Sequence, residues 1–334
     1  MRAVLACLCV ALPLWAHGQS SPTPHVDLVF AGDTALHGPA GEQIRQGQDP
    51  LHAFAPLFNR ADVRLLNLEC VVSDQGQAKP KFYRFRAHPR VIATLKRHVD
   101  GVMLANNHSG DYGRDAFVQM LGLLHAGGLA FAGGGLNLEQ AHRPWVMERH
   151  GIRIAILNYN EFMPRSYEAD ADRPGIAWSE DLQVVDDILH AKQRLHADVV
   201  LPVMHWGWEN EPVANARQQR LARLMVDAGA DVVIGAHPHV TQNVEIYKGK
   251  PIVYSVGNFV MRETDNAAQR RGWVLRLRIA ADGVQALDTH ALHINGAGIP
   301  KRLENQSSPC WTRAWAQPQS CVPHLGFFPL QPTP

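Results

Sequence analysis

Five short apolar runs constrain this chain most, because each ends on a residue that can bind a metal or move a proton. Val26-Asp27-Leu28-Val29-Phe30-Ala31 leads into Gly32-Asp33, and Val63-Arg64-Leu65-Leu66 into Asn67-Leu68-Glu69. Gly101-Val102-Met103-Leu104 leads into Ala105-Asn106-Asn107-His108, and Asp198-Val199-Val200-Leu201-Pro202-Val203-Met204 into His205. Val232-Val233-Ile234 stops at Gly235, and His237-Pro238-His239 follows. Runs this short and this rich in β-branched residues suit buried strands rather than helices. In open α/β sheets, ligands bind in the crevice beyond the carboxyl ends of the strands. Five strand ends of this kind therefore predict one shared site. Proline fixes its own φ and pushes the residue before it towards an extended shape. His237 and His239 are thus expected in an extended segment, where residues two apart face the same side.

Between these runs the pattern predicts helices over 51–58, 89–98, 115–126, 181–196 and 214–228, which makes the fold class α/β. Residues 145–159 read as two strands around His150-Gly151, and 160–176 as a polar loop at the rim of the site. Beyond Val260 the period changes to two, and 273–279 with 284–293 form a hairpin closed at Asp282-Gly283. The segment Lys81-Phe82-Tyr83-Arg84-Phe85-Arg86-Ala87 alternates basic and aromatic residues. It reads as a half-exposed strand with solvated cations; the competing reading aims Arg84 or Arg86 at an anionic substrate. Gly133-Gly134-Gly135 lacks the spacing of a dinucleotide-binding fingerprint.

A formal net charge of +1 over 334 residues argues against nucleic acid as a partner, since such proteins carry a basic excess. The first 18 residues read as a secretory signal: Arg2, an apolar stretch from Ala3 to Trp15, and Ala16-His17-Gly18 before Gln19. The expectation is an exported protein of the periplasm or cell envelope, with a main domain over 25–296. Residues 297–334 form a Pro-rich, irregular tail in which Cys310 and Cys321 are expected to pair. Cys70 is expected to be a buried small hydrophobe.

The strand ends supply Asp33, Glu69, Asn107, His205, His237 and His239, a mixed oxygen and nitrogen set without thiolate. Such donors suit one or two divalent ions, with Mn²⁺, Zn²⁺ or Fe as the candidates. Six donors exceed what one four-coordinate ion needs, and Glu69 is the candidate bridge between two. His108 is placed to protonate a leaving group, with Asp111 fixing its tautomer. Glu209 is a candidate for orienting a ligand histidine or a solvated loop acid, and Asn258 reads as a turn former.

Taken together, Gly32-Asp33, Asn67-Leu68-Glu69, Asn106-Asn107-His108 with Asp111-Tyr112-Gly113, His205-Trp206-Gly207, His237-Pro238-His239 and Tyr254-Ser255-Val256-Gly257-Asn258-Phe259 resemble a known family. The arrangement is similar to calcineurin-like metallophosphoesterases, and within them to CapA-type poly-γ-glutamate capsule biosynthesis proteins. The resemblance covers roughly 26–260 and implies a two-sheet β-sandwich flanked by helices. It implies that Asp33 and His239 hold one ion and Asn107, His205 and His237 the other, with Glu69 between them. Ala35 departs from the broader pattern, which has a histidine two residues after the first Asp. That departure counts against two-metal phosphatase activity, and His37 is a nearby substitute only by position. The implied function is an exported, metal-dependent, hydrolase-like protein of poly-γ-glutamate export, anchoring or processing. Its expected partners are an anionic polymer or phosphoester substrate and membrane-associated capsule synthesis proteins. The alternatives are a non-enzymatic polymer-binding accessory protein and a general periplasmic phosphoesterase.

Overall fold

The computed structural model describes residues 24–163 and 165–326. All five expected strands form, as Val26–Thr34, Val63–Leu68, Gly101–Met103, Val199–His205 and Val233–Ala236. The first three run parallel as neighbours in a ten-stranded sheet. The last two lie parallel in a six-stranded sheet, with Val199–His205 also pairing Ile152–Asn160. The expected hairpin is Arg271–Ala280 with Gly283–Ile294, and its first strand pairs antiparallel with Val26–Thr34.

The sheets pack face to face. Leu28, Phe30, Leu65 and Leu275 of one meet Ile154, Ile156, Leu201, Val203 and Ile234 of the other in a shared core. Alternate residues of the same strands face outward and are covered by helices. Val29, Ala31, Leu66 and Leu68 pack with Leu95, Met120 and Leu124, whereas Leu157, Val200 and Met204 pack with Ile188, Leu221 and Met225. Burial on both faces explains why these strands read as continuous apolar runs rather than alternating ones. Each fully buried large aliphatic side chain contributes about 1.5–3 kcal/mol. The helix Ala216–Ala228 has a capping box from Asn215 and Gln218, and Gly229 at φ 118° stops it.

Three segments before the tail differ from the sequence reading. Residues 51–58 form a 3-10 turn, His52–Phe54, and one helical turn, Ala55–Phe58. A helix at Gly38–Arg45 was not expected, because its Gly-Pro start looks like a loop although proline fits the first turn of a helix. Of 81–87, Arg86–Ala87 alone is strand, paired with Val71–Val72. The reason is where its polar groups go: the Phe85 N–H donates to the Asp111 carboxylate at 2.7 Å instead of to a ladder.

Within the stretch expected to be an irregular tail, Pro300–Arg302, Ser308–Thr312 and Gln319–Cys321 extend the larger sheet. Pro300–Arg302 and Ser308–Thr312 both pair with the long strand Gly283–Ile294 along the side away from Arg271–Ala280, since an unpaired edge recruits whatever chain lies near. A disulfide joins Cys310 and Cys321, and with them the paired strands Ser308–Thr312 and Gln319–Cys321. The signal sequence, Phe327 and Phe328 fall outside the described residues. No helix among the described residues is long and apolar enough to cross a membrane.

Arg276 is buried in the hairpin and forms a two-pronged ion pair with Asp288. Burial pushes the Asp288 carboxyl up, but His290 and Arg276 together hold it below the usual carboxylate range. A depressed folded-state pKa means that this contribution is present at neutral pH and is lost as pH falls through the folded value. Asp288→Asn at pH 7 should cost about 3–5 kcal/mol in denaturant unfolding, the usual result of leaving a buried charge uncompensated. An unchanged midpoint and slope would show that the pair does not hold the hairpin.

Candidate metal centre

Asp33 is aimed by an irregularity in its own strand. The register of Val26–Thr34 shifts around Asp33 on both sides, against Val63–Leu68 and against Asn258–Val260. Such bulges re-aim side chains at sheet ends. Gly32 makes this possible, since a Cβ there would lie 1.9 Å from the Gly257 carbonyl oxygen. Glu69 follows directly on Val63–Leu68, and His205 is the last residue of its strand. Asn107 and His108 sit in the loop after Gly101–Met103. Asn106 fixes that loop by donating to the Leu68 carbonyl at 2.9 Å and accepting from the His108 N–H at 3.1 Å.

His237 and His239 are not extended. Their φ angles are +95° and +58°, in the left-handed region that non-glycine residues rarely adopt. The proline argument is overruled by tertiary bonds: the His237 N–H donates to Asp33 Oδ2 at 3.1 Å, and the Pro238 carbonyl accepts from Asn210 N–H at 2.9 Å. Backbone strain of this kind costs about 1–3 kcal/mol per residue and is held where function requires it. The rings still converge, with centroids 5.7 Å apart.

The six strand-end residues gather into one buried cluster. Asp33, Glu69 and His239 offer ligand atoms within 4.8 Å of one another, and so do Glu69, His205 and His237. His205 Nε2 lies 2.8 Å from Asn107 Oδ1 and 3.1 Å from His237 Nδ1. Glu69 belongs to both groups. Its Oε1 stands 3.5 Å from His205 Nε2, 3.8 Å from His239 Nε2 and 4.0 Å from His108 Nε2.

Three buried atoms here, both Glu69 carboxylate oxygens and His237 Nε2, have no hydrogen-bond partner among the described residues. Buried polar groups are normally satisfied, so such atoms require an explanation. Burial, and then the Asp33 charge, push the Glu69 carboxyl well up. Burial lowers His239 too, but Glu69 and Asp33 outweigh it and raise its pKa to about 10. His205 and His237 are driven well below the usual range, first by burial and then by neighbouring histidines. Carboxylates that call for positive charge beside neutral imidazoles are the donor set a divalent cation takes. The residues therefore fit a metal.

Beside the cluster, His108 Nδ1 lies 2.6 Å from Asp111 Oδ2. Asp111 is fully buried and also accepts from Lys81 Nζ at 2.6 Å and from the Phe85 N–H. The Phe85 ring stacks on His108 at 4.1 Å, and burial, opposed by Asp111, lowers His108 to about 4. On the opposite wall Phe162 lies 3.9 Å from the His237 ring.

The sequence reading missed Lys81, Asn67, Phe85 and Phe162. Lys81 and Phe85 lay inside a stretch already marked as unusual, but nothing in its alternation shows which side chain turns inward. Asn67 donates to Asp33 Oδ1 at 2.7 Å, and Asn258, expected as a turn former, is a buried strand residue whose Oδ1 lies 2.9 Å from His239 Nδ1. Glu209 is exposed and bonds no ligand histidine among the described residues, though its charge acts on Glu69 and His239. His37 pairs with Glu263 at 3.3 Å, stacks on Phe85 and lies outside both clusters. Cys70 is buried as expected, and burial pushes its thiol up to about 12.

Fold and site together define a class: an α/β protein of two packed sheets whose strand ends build a buried Asp/Glu/Asn/His centre able to hold a divalent cation. The chain belongs to the bacterial capsule synthesis protein family PGA_cap, whose family model matches residues 27–263. It is 33% identical over 238 residues to the PGA biosynthesis protein CapA of Bacillus subtilis, covering 69% of this chain and 62% of that protein. It is 32% identical over 205 residues to the capsule biosynthesis protein CapA of Bacillus anthracis, covering 59% of this chain and 48% of that one. The chain thus spans between about half and two thirds of the length of these relatives. Among solved structures, it is similar to the NAD nucleotidase NadN of Haemophilus influenzae, with a TM-score of 0.45 and 10% identity over 84% of this chain and 60% of that chain.

The unsatisfied Glu69 yields a test by stability. A divalent cation at a hundredfold excess over its Kd should stabilise the protein by about 2.7 kcal/mol over the chelated form. Glu69→Gln should equal or exceed the wild type when chelated, because it removes an unpaired buried carboxyl, and should lose most of the gain from metal. Thermal unfolding with Mn²⁺ and with chelator reads both. An undiminished metal response in Glu69→Gln would remove Glu69 from the centre.

Proposed function

We propose that this protein is an exported, metal-dependent hydrolase that acts in poly-γ-glutamate capsule biosynthesis on an anionic polymer or a phosphoester. The observation that carries the reading is Glu69, fully buried, without a hydrogen-bond partner among the described residues, and common to two groups of potential ligands. Asp33, Glu69 and His239 would hold one ion, and Glu69, Asn107, His205 and His237 another. A bound divalent ion supplies Lewis-acid activation of water and of an oxygen in the bond to be cleaved.

The chain's own residues do the rest. Asp111 accepts the hydrogen bond from His108 Nδ1–H and so fixes the tautomer, which leaves Nε2 facing the cluster as the nitrogen that exchanges a proton with the reacting group. Lys81 neutralises Asp111 and ties it to the loop through the Asn107 carbonyl, 2.7 Å away. Burial holds the His108 pKa at about 4, so at neutral pH the ring starts neutral, with Nε2 free to accept a proton before passing it to a leaving oxygen or nitrogen. Phe85 and Phe162 flank His108 and His237 and limit water at the rings. Membership of the capsule synthesis family supports the capsule role, and the Cys310–Cys321 disulfide supports export, since disulfides persist in oxidising compartments.

Ala35, buried with its N–H on the Val260 carbonyl, leaves the Asp33 side with three protein donors and favours a second reading, an accessory protein that binds polymer without cleaving it. Elemental analysis, followed by turnover with Mn²⁺ on generic phosphoesters and on γ-linked glutamate oligomers, separates the two. Occupied metal sites without turnover on either substrate would sink the hydrolase. His108→Ala should retain metal and lose about 10²–10⁴-fold in kcat, the usual contribution of a positioned acid or base. Wild-type activity in that variant would refute the assignment.

A further inference from the structure

Between Asp74 and Asp100 the chain has no acidic residue but seven cations, Lys79, Lys81, Arg84, Arg86, Arg90, Lys96 and Arg97. In a protein whose net charge is +1, this is a strong local asymmetry. Lys81 and Arg97 reach carboxylates, at 2.6 Å from Asp111 and 3.6 Å from Asp49. Arg84 lies 3.4 Å from the Lys79 carbonyl, and Arg86 lies 4.1 Å over the Tyr112 ring. Neither these two nor Lys79 has a carboxylate partner among the described residues.

Lys79 and Lys81 line a groove of about 590 Å³ whose other wall is Arg114, Ser166 and Tyr167. Arg114 spends its guanidinium on the Pro174, Ser166 and Glu168 carbonyls, so its charge is also left without a carboxylate. Asp115 is the acid on this wall, and it is exposed. The Lys79 side chain lies across Gly113, where a Cβ would meet its Nζ at 3.5 Å. The groove follows the outer side of the loop that carries His108: Tyr167 packs on Gly110, and the Lys81 ammonium bonds both Asn107 and Asp111.

We infer that this groove binds a stretch of a carboxylate-bearing chain, held by Lys79 and Arg114 on its walls and by Arg84 beside them at the Lys79 carbonyl, and fed past Lys81 to the loop of His108. A single small anion would leave most of a groove this large empty, whereas cations spaced along a segment match charges repeated along a chain. An anionic membrane is the rival partner, because Phe82 is 88% exposed beside these cations. A flat surface cannot enter a cleft, however, and Lys79, Lys81 and Arg114 lie on the walls of one. The inference takes the identity of the chain from the proposed function, but not the existence of the groove.

The test is calorimetric titration of the metal-loaded full chain with γ-linked glutamate oligomers, for wild type and for Lys79→Glu/Arg84→Glu. The double reversal should weaken binding by about tenfold, and binding should weaken with added salt because exposed charges are screened. The control Arg60→Glu/Arg220→Glu changes net charge equally at exposed sites elsewhere and should leave affinity within about twofold. Unchanged affinity in the groove variant, or equal loss in the control, overturns the inference. Binding to mixed phosphatidylcholine and phosphatidylglycerol vesicles, with none to oligomers, overturns it in favour of a membrane. Groove-dependent binding with no turnover leaves this inference standing while the hydrolase falls. Turnover on oligomers with groove-independent affinity does the reverse.

Discussion

A carboxylate with no hydrogen-bond partner among the described residues, sealed at the strand ends of two sheets and ringed by imidazoles, is costly to bury. Glu69 is 0% exposed, and His108, His205 and His239 surround it at 3.5–4.0 Å without bonding geometry. Taking an isolated carboxylate out of water is so unfavourable that the group either takes a proton or finds a cation. The rest of the centre is arranged around that requirement. Asp33 adds a second negative charge, Asn107 a neutral oxygen, and His205 and His237 stay uncharged because burial keeps them so. Stability has been given up to keep these atoms available, as in the left-handed backbone of His237 and His239.

The sandwich tolerates this because the cost is local. The shared core between the sheets and the two helix-covered faces are apolar and closely interleaved, and they do not depend on what fills the centre. Strand ends from both sheets point to one rim, so side chains as far apart in sequence as Asp33 and His239 come within 3.3 Å. A second set of residues holds the cluster and its neighbour in place: Asn67 on Asp33, Asn258 on His239, and Asp111 with Lys81 on His108. Such supporting bonds fix ring orientation and tautomer, which ligands alone cannot do.

How much of this was legible followed from how local each signal was. The strands that carry Asp33, Glu69, His205 and His237 were readable because burial on both faces writes a continuous apolar run into the chain. The helix Gly38–Arg45 was not, since its opening Gly-Pro has two meanings and only packing chooses between them. The KFYRFRA segment was flagged but misassigned as strand, because alternation records a period of two and not which neighbour receives each N–H. Here the neighbour is a carboxylate from another loop.

The sequence by itself determined which strands form and which polar residues stand at their ends, because apolar runs and breakers act over a few neighbouring residues. It also held the family likeness, since the ordered motifs lie along the chain. A shared site with Glu69 between two groups was an expectation from the sequence, but only the tertiary structure buried that point and left both Glu69 oxygens without a hydrogen-bond partner among the described residues. It alone placed Lys81 behind Asp111 and Asn258 behind His239, left His37 outside the cluster, and set the paired histidines in a left-handed turn. Those outcomes depend on bonds between residues distant in sequence, and no local pattern along the chain encodes where such partners lie.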